Sequence, residues 1–217
     1  MTPRERRAAR ELTDFLTRLF GPEATIAIDP MPARPPHPNR VELDVTVERP
    51  LALPADLDAR TRRRDTLDGM VLAVEIAERY VAIRSARYAL PAGLVPTTCA
   101  LVSEGLERDF ASLFPEGTLE IDVAWLEVAR AAAETLAGHA VLDGVVSTQV
   151  KQKFAELRWY TQSMPEATEG EASAILDAAS YFSTVVCEMC GGPGSYRKGS
   201  WVRILCDTCH ATKRRKL

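Results

Sequence analysis

A chain of 217 residues that is 46% hydrophobic and 26% charged can bury one good core or two modest ones. With a formal charge of −3 it is neither a disordered polypeptide nor a uniformly basic nucleic-acid coat. The longest apolar runs, MVLAVEIA and AWLEVARAAAETLA, are broken by carboxylates or Arg well short of the roughly 18 to 20 residues of a membrane span, so no membrane partner is expected.

The N-terminus, MTPRERRAARELTDFL, is basic but carries Glu5 and Glu11, and no apolar core with a small-residue cleavage site follows it. It is unlike a secretory signal, and a cytoplasmic location is expected. Thr2 with Glu5 three residues on forms a capping box, Pro3 suits the first helical position, and Ala8, Leu12, Phe15, Leu16 and Leu19 mark one face before Gly21 and Pro22. Two strands are predicted next: TIAI at 25–28, and VELDVTV, where Val41, Leu43, Val45 and Val47 alternate with polar residues. The five prolines between Pro30 and Pro38 make the connection a stiff exposed loop, with His37 as a surface imidazole.

A helix is expected from about Asp56 to Tyr80, and the Arg cluster Arg60, Arg62, Arg63 and Arg64 at its start is surrounded by aspartates, which favours surface pairing. The segment YVAIRSARYALPAGLVP reads as either continued helix or strand, with a soft boundary near Pro91 to Pro96, and Cys99 reads as a small buried hydrophobe. Ser103 is placed as the cap of a helix carrying Leu106, Phe110 and Leu113. Asp122 caps another with Trp125, Val128, Ala132 and Leu136 on its face, closed by Gly138, after which His139 faces the helix end or solvent. Strands are expected in VLDGVVSTQVKQKFAELRWYTQ, and a second capping box, Thr168 with Glu171, opens a helix through Phe182. The class is α+β, with helices and short antiparallel strands in segments 1–96 and 97–184 and a zinc ribbon with a basic tail in 185–217.

The last segment carries the chemistry. Cys187-Glu188-Met189-Cys190 and Cys206-Asp207-Thr208-Cys209 are two knuckles fifteen residues apart, a spacing typical of zinc ribbons. Gly191 and Gly192 let the backbone turn beneath the ion, and SYR, KGS and WVRIL suit a hairpin between the knuckles. Four protein ligands leave no coordination site for water, so a structural Zn²⁺ is expected; His210 in place of Cys209 would break the matching spacers. A redox pair is the weaker reading, since such sites use one Cys-x-x-Cys at a helix start. Residues 187–217 hold seven Lys and Arg against Glu188 and Asp207, a local charge of +5, reduced to +3 by a tetrathiolate zinc site.

From about residue 103 to 210 the chain resembles a group of uncharacterised bacterial and prophage-encoded zinc-ribbon proteins. The matching stretches are AWLEVARAAAETL, VKQKFAELRWY, CEMCGGPG, GSW and LCDTC. The resemblance implies architecture and brings no activity with it. Ala155-Glu156 replaces a Gly-Gly of that group, which disfavours a tight turn with positive φ there, and Cys209 stands where the group often has His.

Three functions follow from these features. The first is a non-enzymatic nucleic-acid-binding protein of phage or mobile-element origin. In it Arg197, Lys198, Arg203, Lys213, Arg214, Arg215 and Lys216 contact phosphates and Tyr196 or Trp201 stacks on an unpaired base. The second is a protein-interaction, accessory or inhibitor protein with a purely structural zinc site. The third is an HNH-like nuclease, suggested by LCDTCHATK; the fifteen residues between the knuckles contain no His, Asp or Glu to supply its base and catalytic metal.

Overall fold

In the computed structural model, which describes residues 1–30, 40–41, 43–48, 67–87 and 99–214, helix α1 spans Pro3–Phe20. Its start has the expected chemistry. Thr2 Oγ1 accepts from the Glu5 amide at 3.2 Å, and the Glu5 carboxylate accepts from the Thr2 amide at 2.6 Å, so each satisfies a donor the helix leaves open. Ala8, Leu12, Phe15, Leu16 and Leu19 are buried, and Gly21 at φ +89° ends the helix.

Strands β1 (Thr25–Pro30) and β2 (Leu43–Glu48) pair antiparallel, with Ile28 opposite Val45. The proline-rich loop with His37, the Arg60 to Arg64 cluster, the boundary at 91–96 and the Cys99 side chain all lie outside the described residues. Helix α2 spans Leu67–Arg87, so the ambiguous YVAIRSAR is helical. Helix α3 spans Cys99–Asp109 and contains Ser103, which is therefore an interior residue and not the expected cap. Then follow β3 (Leu119–Glu120), α4 (Val123–Gly138), β4 (Ser147–Lys153), β5 (Glu156–Thr161) and α5 (Glu169–Ser183). The strands order as β3–β4–β5, with β4 and β5 antiparallel and β3 parallel to β4, Leu119 opposite Val150. The chain is α+β. Its ending is a hairpin of β6 (Ser195–Arg197) and β7 (Arg203–Leu205) followed by helix α6 (Asp207–Arg214).

Two expected caps are absent. Asp122 and Thr168 occupy the N-cap positions of α4 and α5, but neither side chain bonds to its own helix. Thr168 Oγ1 donates to Pro165 O, and the Asp122 carboxylate is taken by Arg203. At Asp122 an ionised partner has outcompeted the local amide, and at Thr168 the hydroxyl donates to a carbonyl of the preceding turn.

The hairpin β4–β5 turns on two residues, Phe154 at φ +56° and Ala155 at φ +62°, flanked by the pair Lys153 and Glu156. A two-residue turn with positive φ at both centres suits the strand twist, and here it forms without glycine. Ala155 is buried and Phe154 is 72% exposed. The tight turn disfavoured for Ala155-Glu156 therefore forms one residue earlier, on Phe154 and Ala155, at the cost of holding two side-chain-bearing residues in the left-handed region, roughly 1–2 kcal/mol each.

Helix α2 is the centre of the packing, lying against α1, α4 and α5. Phe15, Tyr80 and Phe182 meet edge to face with centroids 5.2 to 5.6 Å apart, joining α1, α2 and α5. The buried cluster around them runs on through Trp125 and Leu136 to Val186 and Ile204, so residues from all three sequence segments share one core. At its rim His139, just past α4, bridges Glu75 of α2 (2.9 Å) and Glu171 of α5 (2.7 Å).

Those carboxylates, Glu75 first and Glu171 second, raise the His139 pKa above its ordinary 6.5 against the opposing effect of burial. The stabilisation is complete below the unfolded value and is lost as pH climbs through the raised folded value. Urea midpoints of the wild type and His139→Gln should thus differ most near pH 5 to 6 and converge in alkaline buffer. Separately, Phe154→Gly should stabilise the chain by about 0.5–1 kcal/mol, visible as a Tm increase of a few degrees, because the strain at position 154 is relieved with little loss of burial.

Candidate metal centre

The first knuckle grows directly out of α5. Gly194 N donates to Val185 O (2.7 Å), Cys187 N to Gly192 O (2.8 Å) and Gly191 N to Cys187 O (2.8 Å), which folds the chain back on itself around Cys187 and Cys190. Gly191 has φ +71°, and a Cβ there would fall 2.6 Å from the Tyr80 hydroxyl and into the Arg84 guanidinium. Glycine is required on both counts. Below the knuckle the buried Trp125 donates from Nε1 to Val186 O at 3.1 Å. The second knuckle follows β7: Cys209 N approaches Cys206 Sγ at 3.4 Å and His210 N donates to Cys206 O at 2.9 Å, the first turn of α6.

These two turns bring the Sγ atoms of Cys187, Cys190, Cys206 and Cys209 within 4.8 Å of one another. Cys190 and Cys206 are 3.7 Å apart, far beyond a disulfide bond and close to the edge of about 3.8 Å that a tetrahedron with 2.3 Å metal–sulfur bonds requires. All four thiols are free of disulfides. The Cys190 thiol, donating to Cys187, holds Cys187 down at about 4 and pushes Cys190 itself up, as expected where neighbouring thiolates repel and share protons. One divalent cation would relieve that repulsion. The donor set fits a structural zinc site, and His210 stands outside it.

A layer of polar contacts outside the cysteines fixes their geometry, and sequence reading missed all of it. Tyr80 donates to Gly191 O (2.8 Å) and Arg84 to Cys190 O (3.0 Å), while Arg84 also donates to Glu11 (2.8 Å). Burial raises the Tyr80 pKa, so its hydroxyl stays a donor. Between the two cysteines of the first knuckle, Glu188 is only 2% exposed and accepts from Ile204 N (2.7 Å) and Arg203 Nε (2.6 Å) on β7. Glu188 N in turn donates to Ile204 O (3.0 Å). Arg203 also pairs with Asp122 at the start of α4, so one guanidinium fastens the second strand of the ribbon to both the first knuckle and the sheet-helix layer. The one trace of this in the sequence is a carboxylate inside a Cys-x-x-Cys spacer.

The basic residues are in two conditions. Arg203 is held as described, and Arg197 donates to Leu205 O (3.1 Å) and pairs with Asp207. Lys198 is exposed at the hairpin tip. Lys213 and Arg214 belong to α6, their side chains outside the described residues, as are Arg215 and Lys216. Trp201 is 65% exposed and Tyr196 53%, so the residue under the knuckle is Trp125, on the far side of the ribbon's own sequence. Comparison of the chain with family models, curated proteins and solved structures finds no match in any of the three.

Metal analysis of the purified chain should give one divalent ion per chain, and less than half an equivalent with four titratable thiols would contradict the site. Glu188→Ala leaves Ile204 N and Arg203 without their buried acceptor and should cost about 2–4 kcal/mol, accompanied by faster metal loss to a chelator.

Proposed function

We propose that this chain is a non-enzymatic zinc-ribbon protein that binds nucleic acid through its C-terminal module. The observation that supports the reading best is the hairpin itself: Trp201 and Tyr196 face solvent beside Lys198, and α6 carries the basic run onward from the second knuckle. Flat aromatic faces next to uncompensated cations are what an unpaired base and its phosphate use. The metal, read as Zn²⁺, has a structural part. Four cysteines fill its coordination, and its binding free energy, on the order of 10 kcal/mol in such modules, goes into holding the ribbon folded.

Because Arg197 and Arg203 serve the ribbon internally, phosphate contact falls in this reading to Lys198 and to Lys213, Arg214, Arg215 and Lys216. Four free thiols suit a reducing compartment, hence a cytoplasmic protein. The likeness of residues 103–210 to prophage-encoded zinc-ribbon proteins supports an origin in a mobile element. A second reading, an accessory or inhibitor protein, is favoured by the same exposed Trp and Tyr, since both are enriched at protein interfaces. Pull-down with and without nuclease separates the two, because a partner lost on digestion points to nucleic acid.

Fluorescence anisotropy with a labelled mixed-sequence oligonucleotide should show binding that weakens as salt rises from about 50 to about 200 mM, through release of condensed counterions. Absence of binding at the lower salt would sink the nucleic-acid reading.

A further inference from the structure

Five lysines occur in the chain, and all lie between residues 151 and 216. Everywhere else the cationic residue is arginine, and in this region the arginines whose side chains are described pair with carboxylates: Arg158 with Glu156, Arg197 with Asp207, and Arg203 with Glu188 and Asp122. The lysines are different. Among the described residues Lys151, Lys153 and Lys198 enter no ion pair. Lys151 lies 5.3 Å from the ring centroid of Tyr160, and Lys153 lies 5.6 Å from that of Phe154. Tyr160 and Phe154 are themselves exposed, and Phe154 is presented from a strained left-handed position at the hairpin tip.

The two hairpins adjoin. Gln152 Nε2 of β4 donates to Val202 O at 2.9 Å, and Trp201 shares a groove with Lys151 and Gln152. Of the acidic residues of that groove, Asp122 and Glu188 share the single guanidinium of Arg203, and Glu120 accepts from the neutral amide of Gln149 at 2.8 Å. The two hairpins expose the rings of Phe154, Tyr160, Tyr196 and Trp201, Lys151, Lys153 and Lys198 stand beside them without an ion pair, and Glu120 and Asp122 lie at the same groove.

We infer that this face, running from the β4–β5 hairpin across to the ribbon hairpin, is a platform for a single polynucleotide strand, with bases stacked on Phe154, Tyr160 and Trp201 and phosphates against Lys151, Lys153 and Lys198. The inference rests on the nucleic-acid reading above and deepens it by moving the contact from the basic tail to the sheet. Stacking needs unpaired bases, so the platform prefers single strands to duplex. Backbone strain at Phe154 fits the same role: the turn tolerates an unfavourable φ and leaves a large apolar ring in water, a combination that folding alone does not call for. Base faces and phosphates are common to DNA and RNA, and the site uses nothing else.

The test uses the full metal-loaded chain with fluorescein-labelled oligodeoxythymidylate, oligouridylate and a duplex of equal length. Tight binding of either single strand over the duplex is expected. Phe154→Gly and Trp201→Ala should each weaken single-strand binding by about 5- to 150-fold, the range for losing one stacked base. Phe154→Gly should do so while raising Tm, a pairing of effects that general damage to the fold cannot produce. Lys151→Ala with Lys153→Ala should lower the slope of log affinity against log salt by about 1.4, two single-strand phosphate contacts. If the wild type binds but these variants bind like it, or if duplex binds as well as single strand, the platform is wrong and the nucleic-acid reading survives with the tail as its contact. If no oligonucleotide binds at low salt, both fail.

Discussion

Four sulfur atoms within 4.8 Å of one another cannot all be thiolates unless a cation lies among them. Everything that is unusual about residues 185–214 follows from meeting that condition. The knuckles need backbone that folds back within two residues, hence Gly191 and the close amide contacts around Cys187. The second knuckle must arrive from a strand, hence the short β6–β7 hairpin. Two strands of three residues are too small to hold themselves together in water. The ribbon therefore borrows rigidity from the body of the protein, through Tyr80, Arg84, Trp125 and Asp122.

The borrowing is specific in kind. Three of these four contacts reach backbone carbonyls of the first knuckle or of Val186 before it, and the fourth reaches an arginine of the second strand. Groups that position carbonyls constrain the path of the chain, and through it the direction in which Cys187 and Cys190 aim their sulfurs. Glu188 performs the complementary task from inside the knuckle, taking the amide of Ile204 and the guanidinium of Arg203 together. A carboxylate as buried as this one is held in place because both of its oxygens have a donor.

How much of this could be read from the sequence depended on the range of the interaction. The Thr2 and Glu5 capping box, the alternation in β2 and the paired cysteines are signals written over a few residues, and each is present in the structure. The failures are where a distant group competed with a local one. Asp122 has the right type and position for a cap, but its carboxylate meets Arg203, 81 residues on, and an ionised partner outbids a neutral amide. Ser103 has the residue type of a cap, but the apolar CALV before it already belongs to the helix, which starts at Cys99. The Phe154-Ala155 turn was obscured by a rule about side chains and positive φ that is a preference of one or two kcal/mol, small enough for a two-stranded register with buried Leu157 and Val150 to override. The Tyr80 and Arg84 contacts left no local pattern at all: both residues sit on a helix at positions that read as ordinary core and ordinary surface.

The bond from the Tyr80 hydroxyl to Gly191 O closes a loop of 111 residues. During synthesis α1 and α2 leave the ribosome long before the knuckle they support exists, and the aromatic triad cannot be completed until Phe182 follows. Contacts so far apart in sequence are slow to form and expose apolar helix faces while they wait. The knuckle is thus made long after the helices that support it, and a cation held by its four cysteines would tie the completion of that early core to the closing of a site 111 residues further on.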